Sequence, residues 1–344
     1  MMLKSTNICY PLLLILSIGK KSFTNLGQVI QKSGDTIRRL LNPIETNSNY
    51  LDNIAVELFR NKKEVFLTVD DTLLKKMFSF FMEGADKFFD TKIGRKIMSY
   101  KLLVVGITDG KYMIPLRFAF IPSKDMIEKA AEFKEELVKK FILEVRQLFP
   151  DKTIFVVADG AFATKSLLKW ALSLGIKMEV RMHSNRVVEY KGERTQIRNI
   201  KSLVPKGRHM ARTIKAVWHG MSLDITAHRR IDRHGEETIV YQAATYEATP
   251  AKHVAVYKMR WPTEKLFRTT KQHLGLQECF STKLDTQLKH VGSVFLAYAF
   301  AQLEMKQKKL GTSEDAIRSL RKNDFDVLKA RFDALGEIFG GSHA

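Results

Sequence analysis

Three acidic residues stand where they could do chemistry. Asp71 closes an apolar, β-branched run at residues 65–69, Asp159 closes a second run at 153–158, and Glu264 lies on a helical segment. In an α/β sheet, functional groups collect beyond the carboxyl ends of the strands. Two aspartates there, with a glutamate from a packed helix, could share a pair of hard cations, and Mg²⁺ prefers oxygen ligands of this kind. Two such ions about 3.5–4 Å apart activate a nucleophile and stabilise the leaving oxygen of an in-line displacement. Taken alone, an aspartate that ends a strand is ordinary turn chemistry. Asp109, in the pair Asp109-Gly110 between two strands, reads in that way.

The glutamate has a sharper context. Tyr257, Arg260, Glu264 and Lys271 are separated by three, four and seven residues. On one helix these offsets place them at roughly 0°, 300°, 340° and 320°, a single stripe. A carboxylate flanked by two cations and a phenol suits a metal-bound phosphodiester, with the cations on phosphate oxygens. A solvated charged face with incidental salt bridges is the plainer alternative, but it requires neither the tyrosine nor the alignment. Pro262 removes one backbone hydrogen bond and is expected to kink this helix. Trp261 points away from the stripe and reads as core.

The elements that must position these residues follow from periodicity. Strands are expected at 65–69, 102–108, 112–120, 153–158 and 176–182, with helices at 123–148, capped by Ser123, and at 164–174. The order is β-β-β-α-β-α-β. A basic stretch follows, with strand-like pieces at 214–218, 223–226 and 238–245. Thr249-Pro250 then starts a helix that runs to Gly275, and the remainder is helical. Near the start, residues 10–18 form an apolar run that looks like a leader segment, but it is shorter than the roughly 20 residues of a membrane span and reads as a buried helix. Residues 23–41 read as two short helices around Lys32-Ser33-Gly34, the second carrying Arg38 and Arg39 outward. That pattern fits a helix-turn-helix as well as a plain helical hairpin.

Composition narrows the partners. The 344 residues carry 57 Lys and Arg against 37 Asp and Glu, a net charge of +20, which favours a polyanion. Residues 181–233 alone hold thirteen basic side chains against four acidic ones. A membrane surface would call for a basic amphipathic helix, whereas the densest basic region looks β-rich, so no membrane partner is expected. The two cysteines, Cys9 and Cys279, form no metal-binding or disulfide pattern and suit a reducing, cytoplasmic setting.

The spacing Tyr257-x2-Arg260-x3-Glu264-x6-Lys271 resembles the signature of the insertion-sequence-four group of DDE transposases. Val69-Asp70-Asp71-Thr72 is similar to that family's first-aspartate motif, whose catalytic Asp directly precedes Thr, which selects Asp71 over Asp70. Residues 156–160, Val-Val-Ala-Asp-Gly, are similar to the second motif. The resemblance implies an α/β, ribonuclease-H-like mixed sheet flanked by helices. Its core would span 61–182 and 246–310, interrupted by a basic β-rich insertion at 183–245. A helical DNA-binding domain at 1–60 would precede it and a helical tail at 311–344 would follow.

The resemblance also implies an activity: metal-dependent strand cleavage and strand transfer at insertion-sequence ends, by cut and paste. Asp71, Asp159 and Glu264 would coordinate two Mg²⁺ ions, with Mn²⁺ as the substitute. Tyr257, Arg260 and Lys271 would contact phosphates, as would Arg181 and Arg186. Tyr241, or else Trp218, would stack on a flipped base, and Arg38 and Arg39 would contact DNA. His183 is expected to be a hydrogen-bonding or DNA-contact residue. The partners would be double-stranded DNA, as transposon end and as target, and a second copy of the chain. A nuclease of the same fold without strand joining, or a transposase-derived DNA-binding protein, are the alternatives. The full carboxylate set argues for the enzyme.

Overall fold

The computed structural model describes residues 8–41, 49–76, 81–206, 210–231 and 235–340. Of the basic stretch, Arg208 and Arg233 lie outside the described residues. Four helices, α1 (Cys9–Leu16), α2 (Phe23–Val29), α3 (Gly34–Leu41) and α4 (Asn49–Phe59), precede strand β1 (Glu64–Lys75). Strands β2 (Asp86–Asp90), β3 (Arg95–Thr108) and β4 (Met113–Ile121) follow, then α5 (Ala130–Gln147), β5 (Thr153–Ala158), α6 (Lys165–Ser173) and β6 (Lys177–Met182). Next come β7 (Val187–Tyr190), β8 (Glu193–Gln196), β9 (Ala211–Trp218), β10 (Met221–Ile231) and β11 (Glu237–Ala244). Helices α7 (Pro250–Lys258), α8 (Trp261–His273), α9 (Leu284–Gln307), α10 (Ser313–Leu320) and α11 (Phe325–Gly340) complete the chain.

All the strands join one mixed sheet in the order β2-β3-β1-β5-β6-β11-β10-β9-β7-β8, with β4 also on β3. β1 runs antiparallel to β3 and parallel to β5, and β5 is parallel to β6. Their apolar runs suit strands covered on both faces: residues 102–108 of β3 are all buried. The basic segment is β-rich as expected, but it is not set apart from the sheet. β11 pairs antiparallel with β6 and carries the sheet onward.

α9 is buried on nearly every side, the pattern of a central core helix. The apolar run near the start forms α1, whose residues from Cys9 to Ile15 are buried, and the Tyr10 hydroxyl meets His290 Nδ1 of α9 at 2.9 Å. Leu26, Ile37, Leu51 and Phe59 belong to the same buried cluster as Phe295, so the first four helices share the core of the sheet. Within α2, where the turn toward α3 folds back, a Cβ on Gly27 would stand 2.2 Å from the Lys32 carbonyl oxygen, so that position requires glycine. Among the described residues no helix is long and apolar enough to cross a membrane.

Three of the boundaries that differ from expectation bear on the site. β1 does not stop at Asp71 but continues to Lys75, because Leu102, Lys101, Tyr100 and Ser99 of β3 remain available as ladder partners. The helix expected from Ser123 begins at Ala130. The Ser123 hydroxyl instead accepts from the amides of Asp125 and Met126, closing a separate turn. The helix expected at 249–275 is two helices, divided at Met259 and Arg260.

One buried polar cluster ties the sheet to the helices. His253 of α7 is fully buried, with Nδ1 3.4 Å from Glu179 of β6 and Nε2 3.2 Å from Asp224 of β10. Burial pushes the imidazole pKa down, but the hydrogen bonds and charges of Glu179 and Asp224 outweigh it and the net shift is upward. Glu179 also accepts from Gln242 Nε2 and the Tyr246 hydroxyl; burial raises its pKa, and His253 and these donors oppose the rise. A pKa raised above the ordinary 6.5 contributes stability that is complete below that value and is lost as pH rises through the folded-state pKa. Thermal unfolding should therefore show a Tm that falls as pH rises above about 6.5, a slope that His253→Ala removes. Leaving two buried carboxylates unpaired should also cost about 3–5 kcal/mol. A pH-independent difference between the two proteins would show that His253 is neutral.

Candidate functional site

Alternation along β1 decides which side chains reach the site. Successive residues of a strand point to opposite faces. Phe66 packs with Val256 of α7. Two residues on, Thr68 Oγ1 accepts from the Thr263 hydroxyl of α8 at 2.7 Å. Two further on, Asp70 Oδ2 accepts from Arg260 Nη1 at 3.2 Å, and after it Thr72 Oγ1 accepts from Lys271 Nζ at 2.7 Å. This face of β1 looks at α7 and α8.

Asp71 therefore looks the other way. Its Oδ2 is held by Lys134 Nζ of α5 at 2.5 Å and by Lys101 Nζ at 3.4 Å. The expectation that Asp71 joins Asp159 and Glu264 is corrected: the aspartate on their face is Asp70. Choosing the residue beside Thr72 assumed that the strand ended there. The apolar Leu73-Leu74 that follows was the available sign that the strand, and its alternation, continues.

The other carboxylates arrive from two more elements. The last parallel pair between β1 and β5 is Val69 with Ala158, so Asp70 and Asp159 follow at the same level. Asp159 Oδ1 accepts from the Ala161 amide and caps a one-turn helix at Gly160–Phe162. Arg260 reaches Asp70 with one nitrogen and Glu264 with the other, bridging the two carboxylates. Burial pushes the Asp70 carboxyl up to about 7; Arg260 opposes the rise, and the Asp159 charge adds to it.

The break between α7 and α8 sets this geometry. Met259, Arg260 and Thr263 donate backbone N–H groups to carbonyls three residues earlier, a tightened turn. Pro262 sits in the first turn of α8, where its missing N–H costs nothing. It starts a helix rather than kinking one. Tyr257 thus ends up on α7 and Arg260 at the N-cap of α8, with both residues lining one groove. The tyrosine pKa is raised by burial, and the charges of Arg260 and Arg181 oppose the rise. Lys271 lies farther along β1, and burial, then Lys75 and Lys92, lower its pKa to about 8.

The remaining expected residues divide. Arg181 is exposed and lines a groove of about 310 Å³ with Arg230, Tyr257, Lys258, Arg260 and Trp261. Trp261, expected in the core, is 46% exposed, with the Arg230 guanidinium 5.5 Å from its ring centre. Sequence reading missed Arg230 and Lys258, since it is the pairing of β10 with β11 beside β6 that brings them here. Arg186 lies elsewhere, 5.5 Å over the Trp218 ring, in a cavity it shares with His183. A Cβ on Gly160 would stand 3.4 Å from His183 Nε2, so the imidazole borders the turn after Asp159. Tyr241 is 7% exposed and Trp218 3% exposed, both inside the main core cluster. Neither presents an open ring face for a base, because β11 and β9 turn those positions inward. Arg38 and Arg39 are exposed on α3, Arg38 3.8 Å from Asp35.

Three carboxylates are the right donor set for a hard cation. Among the described residues no group of three or more His, Cys, Asp or Glu side chains stands close enough together to hold one. The positive charge between Asp70 and Glu264 is supplied here by the Arg260 guanidinium.

Comparison with known proteins finds a likeness of fold and a family. The cryo-EM structure of the piggyBac transposase synaptic complex with hairpin DNA is 13% identical, with a TM-score of 0.51 over 96% of this chain and 72% of that one, a likeness of fold. The Mos1 transposase paired-end complex with left transposon end is 10% identical over 46% of this chain and 53% of that one. Its TM-score of 0.21 carries no argument. No curated protein matches the sequence. The model of the transposase DDE domain matches residues 61–300, which span β1 through most of α9 and contain Asp70, Asp159 and Glu264. The chain belongs to the DDE transposase domain family.

Proposed function

We propose that the chain cuts and rejoins double-stranded DNA at the ends of an insertion element, by cut and paste, with Asp70, Asp159 and Glu264 as its carboxylate set. The observation that carries this reading is the bridge of Arg260 across Asp70 and Glu264, with the Asp159 charge felt at Asp70. One carboxylate from a strand and one from a helix share a single guanidinium, Asp159 ends the neighbouring strand, and the whole set lies inside the matched family domain. The strand order β4-β3-β1-β5-β6, with only β3 reversed, supports a ribonuclease-H-like core, and β7 to β11 correspond to the insertion before the last acidic residue. The Tyr257, Arg260, Glu264 and Lys271 spacing supports placement in the insertion-sequence-four group.

Asp70, Asp159 and Glu264 would hold Mg²⁺ or Mn²⁺. When bound, the ions supply an activated water and charge neutralisation at the leaving oxygen. In cleavage, the water oxygen bonds to phosphorus and the bond from phosphorus to the 3′ oxygen breaks, leaving a 3′-hydroxyl. In strand transfer the oxygen of that hydroxyl bonds to a target phosphorus as the target's own bond from phosphorus to 3′ oxygen breaks, and the hydroxyl's proton is passed on as a target 3′-hydroxyl is freed. Arg260, released from the carboxylates, and Tyr257 and Arg181 beside it would hold the phosphate oxygens. The synaptic assembly named for piggyBac suggests two copies of this chain acting together on paired ends.

The test is an assay of labelled element ends with Mg²⁺ or Mn²⁺, scored for nicked and for joined products. Asp70→Asn should abolish both. Arg260→Ala should slow cleavage by about 10²–10³-fold, as when a group that stabilises transition-state charge is removed. Asp71→Asn should keep most of the activity. Cleavage that survives Asp70→Asn and is lost with Asp71→Asn would overturn the assignment. Nicked products without joined ones would make the chain a nuclease. Duplex binding should also weaken steeply as salt rises, with Arg230→Glu flattening the log–log slope by about one to two charges.

A further inference from the structure

Lys101 and Lys134, which hold Asp71 on the side of β1 away from the other carboxylates, line a cavity of their own. A cleft of about 530 Å³ is lined by Lys87, Phe89, Lys124, Lys134, Phe162 and Leu167, among others. Its charge is positive once internal pairs are removed. Lys96 and Asp125 face each other at 3.5 Å, and Glu135 is held by Lys139 at 3.0 Å. Asp71 is shared by Lys101 and Lys134, leaving one cation in excess. Lys87 and Lys124 are exposed, and neither side chain has an ion-pair partner among the described residues. Ala130 and Ala131 of the first turn of α5, which has no side-chain cap, also line the cleft.

The cleft is also aromatic. Phe89 of β2 is 58% exposed, a large ring held in water. Lys134 Nζ stands 3.9 Å from the centre of the Phe162 ring, at the end of the turn that Asp159 caps. Phe162 is itself only 3% exposed beneath that lysine, so the ring offered to solvent is Phe89; cations on a rim beside an open ring are a combination that binds unpaired nucleotides, phosphates to the charges and a base to the ring. The volume is that of a small-molecule site, too small to enclose a duplex.

We propose that this cleft takes a single-stranded DNA segment, the unpaired strand next to the cleavage point, leading it around the sheet edge past Phe162. The proposal rests on the DNA-cleaving reading above for the strand's origin, but the cleft's binding can be measured apart from cleavage. The probe is a fluorescent oligo-dT of twelve nucleotides bound to the full chain in EDTA, followed by anisotropy, with a duplex of equal length as control.

Phe89→Ala should weaken oligo-dT binding roughly tenfold, the size of one lost base stack, and Phe89→Trp should restore it. Lys87→Glu with Lys124→Glu should weaken it further and flatten the salt dependence, while each variant shifts duplex affinity less than twofold. Unchanged oligo-dT binding in both sets would overturn the proposal, as would equal losses for single strand and duplex. Poly-glutamate competing as well as oligo-dT would overturn it too, marking an acidic-peptide site. Because none of these arms requires catalysis, an inactive Asp70→Asn protein that binds oligo-dT normally supports the cleft even if the cleavage assay fails.

Discussion

A β-strand hands successive side chains to opposite faces, and in β1 that alternation determines what each half of the Asp70-Asp71 pair can do. Thr68, Asp70 and Thr72 meet Thr263, Arg260 and Lys271 of the helix pair, while Asp71 meets Lys134 and Lys101 on the other side. A shift of one residue in the register of β1 would exchange the two aspartates and turn the buried Val65, Leu67 and Val69 onto the wrong layer. The hydrophobic pattern of the strand therefore fixes the chemistry of its acidic end.

The second constraint is electrostatic. Like charges gathered in a half-buried position raise one another's pKa, and Asp70 is pushed up to about 7 by burial, against Arg260 and with Asp159. Arg260 reaches both Asp70 and Glu264 only because Pro262 restarts the helix immediately after it. A continuous helix would have carried Tyr257 and Arg260 on one rigid stripe. The broken one lets Arg260 turn toward the sheet while Tyr257 remains under it. The same break exposes Trp261, which a continuous helix would have pointed away from the groove.

The sequence made much of this legible. The strands around the two aspartates, the Asp109-Gly110 hairpin, the buried first helix and the acidic position on the last segment all follow from local periodicity and turn chemistry. Local rules failed where distant partners decide the outcome. The length of β1 depends on β3, and residues 95–98 of β3 find their ladder partners on β2, which folds back onto them. Tyr241 and Trp218 carry no local mark that separates a buried ring from an offered one; the pairing of β11 with β6 and β10 decides for Tyr241. Arg230 and Lys258 gather with Arg181 through a sheet continuation that no single segment announces.

The claim on which the account turns is that Asp70, and not its neighbour, shares a cation with Asp159 and Glu264. Anomalous scattering from crystals soaked in Mn²⁺ measures this directly. The account predicts density between Asp70, Asp159 and Glu264, with Arg260 displaced from them and Asp71 still on Lys134. An ion ligated by Asp71, or a soaked crystal in which Arg260 keeps its bridge and no manganese binds, would contradict it.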